Sequence, residues 1–183
     1  MIRVLLCLSV LCLFDNRGDA DPSAPLTIGA PAPVVTAPDQ DGRPIHLTDV
    51  YAKGTTLVFF FPTGPDFVIG DENSASLVEV KSLRDAYDRL HAEGLQIVGV
   101  SLNDASFQKK FKQDSQLPYP LIADIKGKVA AAFGVWMYGG GDTPHRYGRV
   151  SFIIKDGKIA WTSLKPQTSR SAEEVQKALD GLR

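Results

Sequence analysis

Cysteine is almost missing from this chain: there are two in 183 residues, Cys7 and Cys12, both within the first fourteen. Beyond that start the sequence offers no disulfide, no cysteine metal site and no thiol nucleophile. Histidine is scarce too. His46, His91 and His145 are the three, and none sits in a local pattern that would make it a metal ligand or a general base, so surface or packing roles are expected. Neither charge is in excess: 20 Lys and Arg against 21 Asp and Glu leave a formal net charge of -1, which removes any electrostatic reason to expect nucleic acid. Three acids, Asp66, Asp71 and Glu72, fall close together but lack the EF-hand pattern, and they read as a solvated loop rather than a cation site. No cofactor and no metal are implied.

An apolar run long enough to cross a bilayer, about 20 residues, is also lacking. The chain opens instead on a short basic start, Met1-Ile-Arg3, followed by the apolar stretch Val4 to Phe14. That length fits the core of a signal peptide, and Gly18-Asp19-Ala20 offers small residues for cleavage after Ala20. A secreted or periplasmic protein without a stable membrane anchor is expected, the other reading of the run being a membrane-anchoring helix. Residues 1–20 are then the signal peptide and 21–32, rich in Pro and Ala, an extended lead-in with little structure of its own. Residues 33–183, without repeats or low-complexity tracts, form one domain.

Within that domain, Thr55 to Pro62 (TTLVFFFP) reads as a buried strand, β-branched and aromatic and closed by proline. An irregular loop follows, and an amphipathic helix begins near Ser76, with Leu77, Val80, Leu83, Tyr87 and Leu90 at helical spacing and Gly94 as its stop. Leu95 to Leu102 is a second buried strand, and Asn103 or Asp104 caps the next helix. Tyr119 to Asp124 gives a short strand, and Lys126 to Val135 a short helix ending at Gly134. Tyr138 to Gly148 reads as a glycine-rich loop. Hairpins are expected about Gln40-Asp41-Gly42 and Asp156-Gly157. Ser171 and Glu174 form a capping box for the last helix. The order βαβαβαββα predicts an α/β domain, a mixed central sheet with helices on both faces.

Several strings in this order resemble the peroxiredoxins, the alkyl hydroperoxide reductase C and thiol-specific antioxidant (AhpC/TSA) superfamily, and most of all the bacterioferritin comigratory protein branch. They are APDQDG (Ala37 to Gly42), LVFFFP, EVKSLRDAYDRL, LQIVGVSLND, LPYPLIAD, KVAAAFGVW and HRYGRVSFIIKDGKI, spanning Pro31 to Leu182. The resemblance implies a thioredoxin-like fold and an antioxidant oxidoreductase that reduces peroxides with thioredoxin as reductant. The family's site holds a Pro, a Thr or Ser, a peroxidatic Cys at the first turn of a helix, and an Arg on a later strand. Carried onto this chain, those positions are Pro62, Asn73, Ser76 and Arg149, and the second cysteine that members often carry is Lys81. The loop between Pro62 and Ser76 is longer than the family motif allows.

A peroxidatic thiol must ionise near neutral pH, helped by a helix N-terminus and a nearby cation, and is then oxidised to a sulfenic acid. A serine hydroxyl has no comparable path. Ser76 also has a plain structural role: Ser76-Leu77-Val78-Glu79 has the spacing of a capping box, the hydroxyl accepting from the Glu79 amide and the carboxylate reaching back. Arg149, at the start of an apolar strand, is expected either to form an anion pocket with the helix amides around Ser76 or to pair with a carboxylate such as Glu79. Phe67, Val68 and Ile69 must fold over the old pocket or meet a partner, and plugging the pocket is the reading adopted. Two functions follow. The first is a non-catalytic relative that binds a small anion, a protein partner or a second copy of itself. The alternative is the family's thiol peroxidase.

Overall fold

The computed structural model describes residues 24–63, 67, 69–140 and 143–183. The expected signal peptide lies outside them. In chain order the elements are β1 (Thr36–Pro38), β2 (Pro44–His46), α1 (Leu47–Tyr51), β3 (Thr56–Phe60), α2 (Ala75–Asp85), α3 (Tyr87–Ala92), β4 (Gln96–Ser101), α4 (Ala105–Asp114), β5 (Leu121–Ala123), α5 (Lys128–Ala132), β6 (Met137–Gly140), β7 (Thr143–Tyr147), β8 (Val150–Lys155), β9 (Lys158–Ser163) and α6 (Ser171–Gly181), the last preceded by a 3₁₀ turn, Thr168–Arg170.

Five strands form the central sheet in the order β5-β4-β3-β8-β9. β3, β4 and β5 run parallel, while β8 pairs antiparallel with both β3 and β9. Parallel neighbours need crossovers, which α2, α3 and α4 supply, while the antiparallel neighbours β8 and β9 need only the turn at Asp156-Gly157. The mixed sheet and both hairpins match expectation.

β3 is the reason for two hydrophobic cores. All five of its residues are buried, and the alternation of a strand sends Leu57 and Phe59, with Phe61 beyond them, to one face and Val58 and Phe60 to the other. Leu57, Phe59 and Phe61 meet Leu77, Val80 and Leu83 of α2, Leu90 of α3, Phe111 of α4 and Val175 of α6. Val58 and Phe60 meet Leu47 and Val50 of α1, Val129 of α5, Phe152 and Tyr147. Phe60 lies edge-on to Phe133, Tyr147 and Phe152 at centroid distances of 5.5, 5.8 and 6.1 Å, geometries aromatic quadrupoles favour.

Local patterning misleads in a few places. The helix expected from Ser76 to Leu90 is two, broken at Ala86, whose φ of -97° and ψ of 0° end the first; the apolar spacing survives the break because Leu90 remains fully buried. The glycine-rich stretch from Tyr138 is not a loop but the antiparallel pair β6–β7. Its glycines gave no alternating apolar pattern to read as strand. The lead-in is also more ordered than expected. Backbone bonds join Gly29 and Ala30 to Ile159, and Ala32 to Gly157, so it lies along the start of β9.

The capping box at the last helix is not formed either. Ser171 is the first helical residue and its hydroxyl donates to the Gln167 carbonyl, while Glu174 accepts from the Gln167 amide. The free amide of Ala172 donates instead to Ser82 Oγ on α2, a cap supplied by tertiary packing. Asp104 does cap α4, accepting from the Phe107 amide at 2.8 Å.

Gly99 sits mid-way along β4, where an added Cβ would stand 2.7 Å from Leu121 Cδ2 and 3.0 and 3.1 Å from the rings of Phe59 and Phe61. Gly99→Ala should therefore lower stability by about 2 kcal/mol through overpacking, read as a fall in the urea unfolding midpoint at unchanged slope.

Candidate functional site

The site lies where β3 hands the chain to α2. Phe61 still donates to the Val100 carbonyl, but Pro62 has no N–H and the ladder stops. Ser76 is the second residue of α2 and only 2% exposed. Its hydroxyl donates to the Pro62 carbonyl at 2.5 Å and accepts from Arg149 Nη2 at 3.1 Å. Three of the four residues expected at the site are thus brought together, and the long loop between Pro62 and Ser76 does not keep them apart. Asn73 is the exception. It is exposed, its amide donates to Asp71 Oδ1, and it does not reach Ser76.

The capping box expected of Ser76 and Glu79 is overturned. Ser74 occupies the N-cap of α2, without a side-chain bond, and Val78 donates to its carbonyl. Glu79 turns away from the helix end: Arg149 Nη1 donates to its Oε2. The reason is charge. A guanidinium delivered from the start of β8 needs an acceptor, and Glu79, with no exposed surface, needs a cation. Of the two readings of Arg149, the pairing with Glu79 is the one present, and a second guanidinium nitrogen reaches Ser76 at the start of α2.

Burial pushes the Glu79 carboxyl up to about 7; Arg149 works against the shift and the negative charge of Glu174 adds to it. Glu79 Oε1 has no hydrogen-bond partner among the described residues. Tyr119, fully buried nearby, donates to the Val80 carbonyl at 2.8 Å, and burial and the Glu79 charge hold its hydroxyl well above its ordinary range.

Sequence reasoning missed a second polar group beside Pro62. Thr63, 3% exposed, donates to Asn103 Oδ1, which also accepts from Ser101 Oγ at 2.9 Å. Gln108 Nε2 in turn donates to Ser101 Oγ at 2.6 Å and to the Ile122 carbonyl at 3.0 Å. This chain of bonds ties the end of β3 to β4, α4 and β5. Each is a single polar residue outside any motif, so the local sequence carried no signal for the chain of bonds.

The apolar part of the loop does fold inward, as Phe67 lies edge-on to Phe107 and Phe111 at 6.0 and 5.5 Å and Ile69 packs on the same core. That contact is with α4. Val68 and Asp66 lie outside the described residues. Glu72 pairs with Lys81, Asp71 receives the Asn73 amide, and among the described residues no group of His, Cys, Asp or Glu is arranged to hold a metal. His46 stands 2.7 Å from Thr36 Oγ1 and His91 stacks on Tyr87 at 5.2 Å, the surface and packing roles expected; His145 lies on β7. Among the described residues no helix is long and apolar enough to cross a membrane.

The chain is similar to known proteins over most of its length. The AhpC/TSA family profile matches residues 28–162. Peroxiredoxin Bcp of Escherichia coli K12 is 33% identical over 138 residues, 74% of this chain and 83% of its own. The chloroplastic peroxiredoxin Q of Suaeda salsa is 32% identical over 123 residues, 67% of this chain and 54% of its own, so this chain spans about half the length of that plant relative. Among solved structures, peroxidoxin BcpB from Mycobacterium tuberculosis matches with a TM-score of 0.76 and 26% identity, over 86% of this chain and 99% of that one. A cysteine-to-serine mutant of Xylella fastidiosa PrxQ, 16% identical, shares the fold with a TM-score of 0.71, over 85% of this chain and 98% of its own. The fold is thioredoxin-like, of the peroxiredoxin type.

The Glu79 carboxyl has a consequence for stability. With its folded value near 7 and its ordinary value at 4.5, the native state binds the extra proton between those limits. Stability contributed by the protonated form is complete below about pH 4.5 and is lost as pH rises through about 7, a decline of roughly 3 kcal/mol. Urea unfolding should show that fall between pH 5 and pH 8 in the native protein and lose most of it in Glu79→Gln.

Proposed function

The chain belongs to the AhpC/TSA family, and we propose that it keeps the family's site to bind a small anion or a protein partner's acidic group without turning peroxide over. One observation carries this reading: the atom at the N-terminus of α2, in contact with the Arg149 guanidinium, is a hydroxyl oxygen of Ser76. A helix N-terminus beside a guanidinium favours negative charge. The same surroundings lower a thiol's pKa and make a thiolate, which can attack the peroxide O–O bond and become a sulfenic acid. They do not make a serine alkoxide at neutral pH, and serine oxygen has no such oxidation ladder. Cys7 and Cys12 are the only thiols in the sequence.

The second reading is the antioxidant thiol peroxidase, reducing peroxides at the expense of thioredoxin. The names of the relatives favour it over the first reading: those quoted above are peroxiredoxins Q and Bcp. It needs a thiol to reach Arg149, from the N-terminal segment or from another molecule. We also propose export, with cleavage after Ala20, on the strength of the Val4 to Phe14 run.

Hydrogen peroxide consumption with thioredoxin or dithiothreitol separates the two. The native chain is expected to show no turnover above background, and Ser76→Cys to gain roughly tenfold or more. Native turnover that survives Ser76→Ala and disappears on replacing Cys7 and Cys12 would establish the peroxidase reading instead.

A further inference from the structure

Glu79 is the feature that an anion pocket by itself leaves unexplained. A carboxylate with no exposed surface stands inside a site that is meant to receive negative charge. It holds Arg149 through one oxygen only, and Oε1 is buried with no hydrogen-bond partner among the described residues. Leaving a buried charged acceptor without a donor is costly, and a proton on that oxygen removes the cost.

Resting on the anion-binding reading above, we propose that the site takes its anion together with a proton: Glu79 becomes neutral, releases the Arg149 guanidinium, and a small carboxylate takes the place of its own carboxylate there. The ligand class follows from the exchange. What Arg149 now holds is a carboxylate, and the planar guanidinium pairs with carboxylates through parallel N–H donors. Ser76 supplies a further donor once its hydroxyl turns from the Pro62 carbonyl. Because Ser76 is 2% exposed, the ligand must be small.

Charge accounts for the coupling. With Glu79 ionised, Arg149 is already neutralised and an incoming anion meets a like charge at contact distance. With Glu79 protonated, one positive charge remains beside the helix N-terminus. The charged and titratable groups facing Glu79 from the surrounding elements point the same way in two of three cases. Glu174 on α6 opposes a second negative charge, Tyr119 before β5 stays a neutral phenol, and Arg149 alone favours ionisation. Burial outweighs Arg149 and pushes the carboxyl to about 7, so the exchange falls in the neutral range. Uptake of an anion and a proton adds no net charge to a buried site.

Calorimetric titration of the full chain with formate, from about pH 5.5 to about pH 8.5 in buffers of different ionisation enthalpy, tests this. Formate affinity should be level at the acid end and fall roughly tenfold per pH unit above about pH 7, with close to one proton taken up per formate bound there. Glu79→Gln, neutral at every pH, should bind formate with the native protein's acid-end affinity and no pH dependence. The double variant Glu79→Gln with Arg149→Gln, which leaves no buried charge unpaired, should not bind. Formate binding by the native protein at constant affinity without proton uptake overturns the exchange but leaves the anion pocket standing. Absence of formate binding by both the native protein and folded Glu79→Gln overturns the pocket as well. Retained binding in the double variant places the anion elsewhere and overturns the exchange. Should Glu79→Gln fail to fold by circular dichroism, proton uptake by the native protein decides alone.

Discussion

A guanidinium and a carboxylate, Arg149 and Glu79, meet beneath the first turns of α2, and the site depends on their pairing. The ionised Glu79 carboxylate, with no exposed surface, could not stay in that position without the guanidinium. Removing one partner of such a buried pair typically costs about 3–5 kcal/mol, because the other is left uncompensated. The pair therefore sets the rotation of α2 about its own axis: Glu79 must face β8, and Ser76, one turn earlier, then faces the same way. Leu77, Val80 and Leu83 are turned onto the core by that orientation, and the two demands agree. Apolar packing and charge pairing point the helix in one direction.

The sheet supplies the fixed points. β3 lies between β4 and β8, so its end and the start of β8 stand side by side, and Pro62 and Arg149 come close with them. Phe60 pairs with Val150 in register, which places Arg149 next to the end of β3 before any side chain is considered. The bonds from Thr63 through Asn103 and Ser101 to Gln108 then hold the start of the loop against α4. Phe67 on Phe107 and Phe111 secures its middle. What closes on Ser76 is a frame that bonds its hydroxyl to the Pro62 carbonyl and to Arg149.

Ser76 and Glu79 show how a local signal can be read correctly as a pattern and still be wrong about the contact. Serine followed three residues later by glutamate at the start of an apolar helical stretch is the spacing of a capping box. The same spacing puts both side chains on one face of the helix, and that face is where Arg149 arrives. A guanidinium at contact outcompetes a backbone amide for a buried carboxylate, so the residues bond across the fold rather than along the helix. Ser171 and Glu174 miss because both bond back to Gln167, the hydroxyl donating to its carbonyl and the carboxylate accepting from its amide. The β6–β7 pair was hidden by glycine, and Thr63 and Gln108 by being single polar residues without a motif. The strands, both hairpins, the cap at Asp104 and the convergence of Pro62, Ser76 and Arg149 were legible, the last through family resemblance.

By itself the sequence determined the alternation of strands and helices, the two-faced burial of the β3 run, and the chemistry that is out of reach. Periodicity, turn residues and the inventory of side chains act over a few positions or over none, and a missing thiol beyond residue 12 needs no geometry to be read. Only the tertiary structure decided which polar atoms meet. Arg149 lies 70 residues from Glu79 and 73 from Ser76, and nothing in the stretch around any of them states that β3 and β8 are neighbours. Their contact is a product of sheet order, and so is the burial that moves Glu79 from an ordinary surface acid to a group that titrates near neutrality.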